Sequence, residues 1–244
     1  MISRFAHPLY CSVKTRRAVF ACCMLVSAAV GAKSLECPDF PEPKAPVQVQ
    51  WVAPYMLYNG IPMSIKRFDS EQKTESILAF YRQAWAAGRD AWALQEYQAG
   101  PWKTIAVLRG KCFFTVQVQD AGNNGSTGLL SATGTPDQTR VIAPDHAVPM
   151  MSGSTVQNDI EHFDEGKTAR TLLLTNTFSP EANAEFYRER MKDSGWHAVS
   201  GYQLKTKKGP GITMVMKRGI AEASLVINRN GQSTSVLANM VDRP

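Results

Sequence analysis

The chain has 244 residues, 44% of them apolar and 20% charged, which is enough apolar content to bury a core and argues against wholesale disorder. Lys and Arg number 27 against 21 Asp and Glu, but four of the cations, Arg4, Lys14, Arg16 and Arg17, stand at the very start. The 23 against 21 that remain leave no basic footprint for a nucleic acid.

Those four cations lead, without a single acid among them, into the run Ala18 to Ala32. About fifteen apolar residues make a signal-peptide core, whereas a spanning helix wants roughly twenty. The small residues Val30-Gly31-Ala32 predict cleavage after Ala32, so residues 1–32 read as a signal peptide that sends the mature chain to the periplasm or outside. An uncleaved anchor is the alternative. Thr15-Arg16-Arg17-Ala18-Val19-Phe20 resembles a twin-arginine export motif, set against a plain secretory signal with two adjacent arginines. A lipoprotein fits poorly, because bulky Phe20 stands shortly before Cys22 and Glu36 precedes Cys37. Cys11, Cys22 and Cys23 leave with the signal. Cys37 and Cys112 remain, and in an oxidising compartment they invite a disulfide worth roughly 2 to 4 kcal/mol; a buried free cysteine is the other reading.

Residues 33–60, with Pro38, Pro41, Pro43 and Pro46, read as a proline-rich arm, extended as far as Pro54 without strand or helix. Over residues 61–134, Phe68 ends a short extended segment and Asp69 with Gln72 forms a capping signal. Ile77, Tyr81, Ala84 and Trp85 then make a helical stripe. Trp102 to Leu108, Cys112 to Gln119 and Gly128 to Thr133 are strand candidates. Residues 135–168 read as a linker, too long for a simple turn and expected to add a strand or pack on the sheet.

Residues 169–244 carry the cleaner signals. Arg170 to Phe178 is a strand candidate that ends at Ser179-Pro180-Glu181, an N-cap, a first-turn proline and an acid. Ala182, Phe186, Tyr187 and Met191 lie on one face of the following helix, and Gly195 stops it. Strands follow at Ile212 to Lys217, Ala221 to Asn228 and Ser233 to Met240, the last two joined through Asn230-Gly231.

Laid over one another, the two stretches match at Phe80-Tyr81 and Phe186-Tyr187, at Trp92 and Trp196, and at the turns Arg109-Gly110 and Arg218-Gly219. The predicted fold class is therefore α+β: two tandem β-α-β-β-β repeats, each a helix packed on an antiparallel sheet. The shared rings read as interior packing, on the order of 2 kcal/mol each, with an exposed ligand-binding Tyr or Trp as the alternative. A Phe-Tyr helix, a Gly-Trp exit and three strands around a glycine turn resemble a module of many exported bacterial proteins without an assigned activity. The likeness covers Arg170 to Met240 well and Pro62 to Thr133 loosely, the first copy having extra residues before Trp92 and no glycine ahead of it. It implies no catalytic residue.

Chemistry is sparse along the chain. Asp145, His146, Glu161 and His162 have metal-ligand or acid-base residue types but not the one-turn spacing on a rigid element that zinc sites favour. Gly-x-Ser-x-Gly is absent, and the glycine loops 122–125 and 209–211 lack the Lys-Ser/Thr of a phosphate cradle. Lys205, Lys207 and Lys208 form a basic loop that would meet an anionic glycan, lipid headgroup or acidic protein surface, or simply be solvated. The reading is an exported, non-enzymatic binding or assembly protein of the bacterial envelope. It expects no cofactor, a protein or envelope component as partner, and membrane contact only through the signal segment. Two alternatives stand beside it: an enzyme sited between the repeats on Asp145, His146, Glu161 and His162, and a ligand-binding or inhibitor protein using the loop from Lys205 to Gly211.

Overall fold

The computed structural model describes residues 34–43, 47–86, 94–122, 124–135, 148–164, 166–206 and 209–242. Residues 1–32, read above as a signal peptide, with Cys11, Cys22 and Cys23 among them, and Trp92, Asp145, His146, Lys207 and Lys208 lie outside them. In chain order the elements are β1 (Val47–Tyr58), β2 (Ile61–Ser70), α1 (Thr74–Ala86), β3 (Gln95–Ala99), β4 (Trp102–Arg109), β5 (Cys112–Asp120) and β6 (Ser126–Thr133). They continue as β7 (Thr155–Asp164), β8 (Lys167–Asn176), α2 (Pro180–Asp193), β9 (His197–Thr206), β10 (Gly209–Arg218), β11 (Ala221–Asn230) and β12 (Ser233–Asp242). All twelve strands belong to one sheet, ordered β3-β4-β5-β6-β2-β1-β7-β8-β12-β11-β10-β9, with antiparallel pairing throughout. No helix among the described residues is long and apolar enough to cross a membrane.

This overturns the expected α+β architecture of two tandem β-α-β-β-β repeats. The described residues form a single twelve-stranded antiparallel sheet carrying two helices. The difference arises where the sequence shows least. Val47–Tyr58, within the proline-rich arm, is a full strand, and so is Thr155–Asp164 in the linker. These two strands pair with each other, Met56 opposite His162 and Tyr58 opposite Ile160, and that pairing makes the sheet continuous. Sheet hydrogen bonding uses backbone groups that every non-proline residue carries, so strands with exposed side chains join it without an apolar signature.

The helices lie where the strand patterns place the apolar faces. Cys112, Phe114, Val116 and Val118 of β5 are buried in alternation, as are Ala221, Ala223, Leu225 and Ile227 of β11. This is the inward series expected of strands with one covered face. Helix α1 packs on β4 and β5, and α2 on β9, β10 and β11. Helix α2 starts as expected: the Ser179 hydroxyl accepts from the Ala182 backbone N–H at 3.1 Å, with Pro180 next. Helix α1 starts later than its capping signal, at Thr74, because Asp69 and Ser70 instead complete the pairing of β2 with β1 and β6. Gly128 faces Phe68 across that last ladder, and a Cβ there would stand 2.5 Å from the Phe68 ring. The glycine is what lets the ring lie flat on the sheet.

The aromatic pairs are interior, with the tyrosine rather than the phenylalanine at the bottom. Tyr81 and Tyr187 are fully buried, whereas Phe80 and Phe186 are half-buried and meet them edge to face. Trp196 is buried at the exit from α2. The hydroxyl of Tyr187 is sealed in without a partner among the described residues, and burial pushes its pKa up to about 12. The raised value means that the neutral ring's contribution is fully present below about pH 10 and is lost as the pH rises through about 12. Tyr187→Phe removes an unsatisfied buried group, so it is expected to leave stability unchanged or raise it by about 1 kcal/mol. It should also flatten the alkaline fall in stability, both read from urea midpoints across pH.

Candidate binding cavity beneath the N-terminal arm

A helix is about 10 Å across and strands are spaced about 4.8 Å apart, so one helix covers roughly two strands. With α1 on β4 and β5, the same face of β6, β2 and β1 needs another cover. Residues 34–43 supply it. Leu35, Cys37 and Phe40 pack against the core beneath α1, and the Phe40 ring meets Phe114 edge to face, centroids 5.2 Å apart. Cys37 is disulfide-bonded to Cys112 at the start of β5, with Cα atoms 5.9 Å apart, which ties the arm to a rigid strand. The disulfide expected from cysteine usage is therefore present.

The cover is incomplete. Between the arm, α1 and the strands β1, β2 and β6 lies a cavity of about 570 Å³, within the usual size of a small-molecule site. Phe40, Val47, Val49, Phe68, Ile77 and Leu130 give it an apolar wall. A second hollow of about 290 Å³ opens on the other side of the arm, and Asp39, Phe40, Trp51 and Lys66 border both. Trp51 is more than half exposed, and the Lys66 ammonium, its partner across the β1 and β2 ladder, lies 4.4 Å from the ring centroid. The charged groups Asp39, Glu42 and Lys66 thus stand at the mouth, with Asp39 and Glu42 exposed.

Deeper in, the polar group is Tyr81. It is 1% exposed and lines the cavity, and no described residue hydrogen-bonds its hydroxyl. Burial, and after it the nearby Glu42 carboxylate, push its acidity well past the ordinary tyrosine value. The group is therefore held as a neutral O–H on a side chain that lines the cavity.

Of the other sequence candidates, only Glu161, His162 and Lys205 are among the described residues. Glu161 lies 3.8 Å from Arg170, which holds Asp159 through two 2.9 Å hydrogen bonds. The two carboxylates are thus committed to an arginine. His162 pairs with Met56 at the join of β1 and β7, and Asp145 and His146 lie outside the described residues. Among the described residues there is no group of three His, Cys, Asp or Glu side chains placed to hold a metal. Lys205 is exposed near the end of β9, opposite Pro210; Lys207 and Lys208 are not among the described residues. Sequence reasoning missed the cavity. Its one sequence signal is the spacing of Val47, Val49 and Trp51, an alternation that marks a strand face but follows immediately on the prolines.

No family model matches the chain, and comparison with curated proteins and with solved structures finds no significant match.

Proposed function

We infer that this is an exported, non-enzymatic binding protein of the bacterial cell envelope, and that it holds a small apolar molecule beneath the disulfide-tied arm. The single observation that carries the reading is the cavity of about 570 Å³ between the arm and the sheet, lined by apolar side chains such as Phe40, Phe68, Ile77 and Leu130 together with the charged Asp39, Glu42 and Lys66. Binding sites for small molecules have this composition. Export is supported by the basic and apolar N-terminus and by the pairing of Cys37 with Cys112, since disulfides persist in oxidising compartments. A binding role fits the mouth as well: its charged groups are spread around an opening rather than gathered on one reacting point.

The test is a titration of the full chain with phenylnaphthylamine, an uncharged dye that brightens in apolar surroundings. Saturable binding is expected. Val49→Trp, which places an indole in the cavity from a residue 48% exposed, should weaken that binding at least about tenfold with the far-UV circular dichroism unchanged. No saturable binding by the parent chain, or binding indifferent to Val49→Trp, would reject the site.

A further inference from the structure

The polar contents of the cavity define which apolar molecule fits, an inference that rests on the binding role argued above. We propose that the cavity selects an uncharged apolar molecule carrying a hydrogen-bond-accepting oxygen, such as a ketone, ester or ether, and that the Tyr81 hydroxyl donates to that oxygen.

Three observations lead there. The first is an unmet donor. Tyr81 is 1% exposed as a residue and lines the cavity, and its hydroxyl, with no hydrogen bond from a described residue, is not one of the fully enclosed unpartnered atoms, so it is open to a partner from the cavity. The comparison with Tyr187 sharpens this. Both tyrosines sit at the bottom of a helix-covered core beside a half-buried phenylalanine. The Tyr187 hydroxyl is sealed among side chains, while Tyr81 borders open space of ligand size. A ligand that fills this space without offering an oxygen would leave the hydroxyl without a partner, whereas one with an acceptor oxygen there would satisfy it, which is the kind of contact that discriminates between otherwise similar molecules.

The second observation is protonation. Burial and the Glu42 carboxylate both hold the ring neutral, so the hydroxyl keeps a proton that it can donate to an acceptor. The third is the charge at the mouth. Among the described residues that line the cavity, Asp39 and Glu42 supply two carboxylates against the one ammonium of Lys66, and that ammonium is already placed over the Trp51 ring. An anionic head group would have to pass or face those carboxylates, which argues against fatty acids and other carboxylate amphiphiles. The wall itself, with Phe68, Ile77 and Leu130, asks for a hydrocarbon or aromatic body.

The experiment is a displacement series against bound phenylnaphthylamine, using three molecules of similar shape: acetylnaphthalene, with an acceptor oxygen; ethylnaphthalene, without one; and naphthoate, which is charged. Each inhibition constant is corrected for the affinity of the dye in that protein. Acetylnaphthalene is expected to bind about five- to tenfold more tightly than ethylnaphthalene, as one buried hydrogen bond allows, with naphthoate weakest. Tyr81→Phe, nearly identical in shape and checked by circular dichroism, should erase the gap between the acetyl and ethyl compounds. A gap that survives Tyr81→Phe overturns the assignment, and so does a series in which naphthoate binds best or all three bind alike. Failure of the dye itself to bind is a different result. It removes the cavity as a binding site, and the selectivity proposal falls with it.

Discussion

Cys37→Ala is expected to lower the free energy of unfolding by about 4 kcal/mol, and reduction of the parent chain with a dithiol should do the same. The bond joins residues 75 apart in sequence, and closing a loop of that size in the unfolded chain costs entropy in proportion to the logarithm of its length. Against a typical total of about 5 to 15 kcal/mol, that is a large share. The local effect should be larger still. The arm has ten described residues, in a segment with neither helix nor strand, and it is held otherwise by Leu35 and Phe40 on the core. Dye binding in Cys37→Ala should therefore fall at urea concentrations well below those that unfold the sheet. Coincident loss of dye binding and circular dichroism would show that the arm is held by its packing and not by the bond. An unchanged urea midpoint would contradict the stability argument outright.

The second large effect belongs to Arg170. Its guanidinium donates to both Asp159 oxygens at 2.9 Å, with the Glu161 carboxylate 3.8 Å away, and all three side chains are between 10% and 14% exposed. Removing one member of a buried ion pair takes away the charge that compensates the others, at a cost of about 3 to 5 kcal/mol. Arg170→Met should destabilise the chain by that amount in urea. The triple change D159N/E161Q/R170M should recover most of it, because no charge is then left stranded. Equal losses in the single and triple variants would mean that packing by the arginine stem, not charge pairing, is what matters at this position.

The effect reaches beyond one strand because of where Asp159 sits. Its backbone N–H donates to the Asn59 side chain at 2.8 Å, and its carbonyl accepts from the Asn59 N–H at 2.7 Å. Tyr58 donates to Asn158 at 2.8 Å alongside. These bonds extend a ladder of only three residue pairs between β1 and β7, so Arg170 buttresses the seam on which the continuity of the sheet depends.

What was legible in the sequence, and what was not, follows from which interactions leave a mark on side-chain type. The start of α2 at Ser179-Pro180, the turn at Asn230-Gly231 and the inward faces of β5 and β11 were all readable, because capping, positive φ and one-sided burial each demand particular residues. The buried Tyr81, Tyr187 and Trp196 follow the same logic, and so does the Cys37 to Cys112 bond as a pairing of the two cysteines that follow the apolar run Ala18 to Ala32. Strands β3 and β9 left little trace: nearly every residue in them is exposed, and a strand held by backbone hydrogen bonds on one side places almost no demand on its side chains. Strand β1 misled for a related reason: proline density ahead of it suggested an arm without strand or helix, while the bonds that make it a strand come from partners distant in sequence. For β7 the length of the linker led to the expectation of an added strand or of packing on the sheet, and a strand is present, but its pairing with β1 left no mark on its side chains.

The sequence by itself thus determined the local turns, the helix α2 and the faces that must be dry, since each is a property of a few neighbouring residues. Only the tertiary structure decided that the dry faces share one twelve-stranded sheet, that a single helix is too narrow for the strands beside it, and that the arm closing the gap leaves space around Tyr81. Those outcomes depend on backbone pairing between remote segments and on the widths of the packed elements, neither of which is written in the side chains of any one segment.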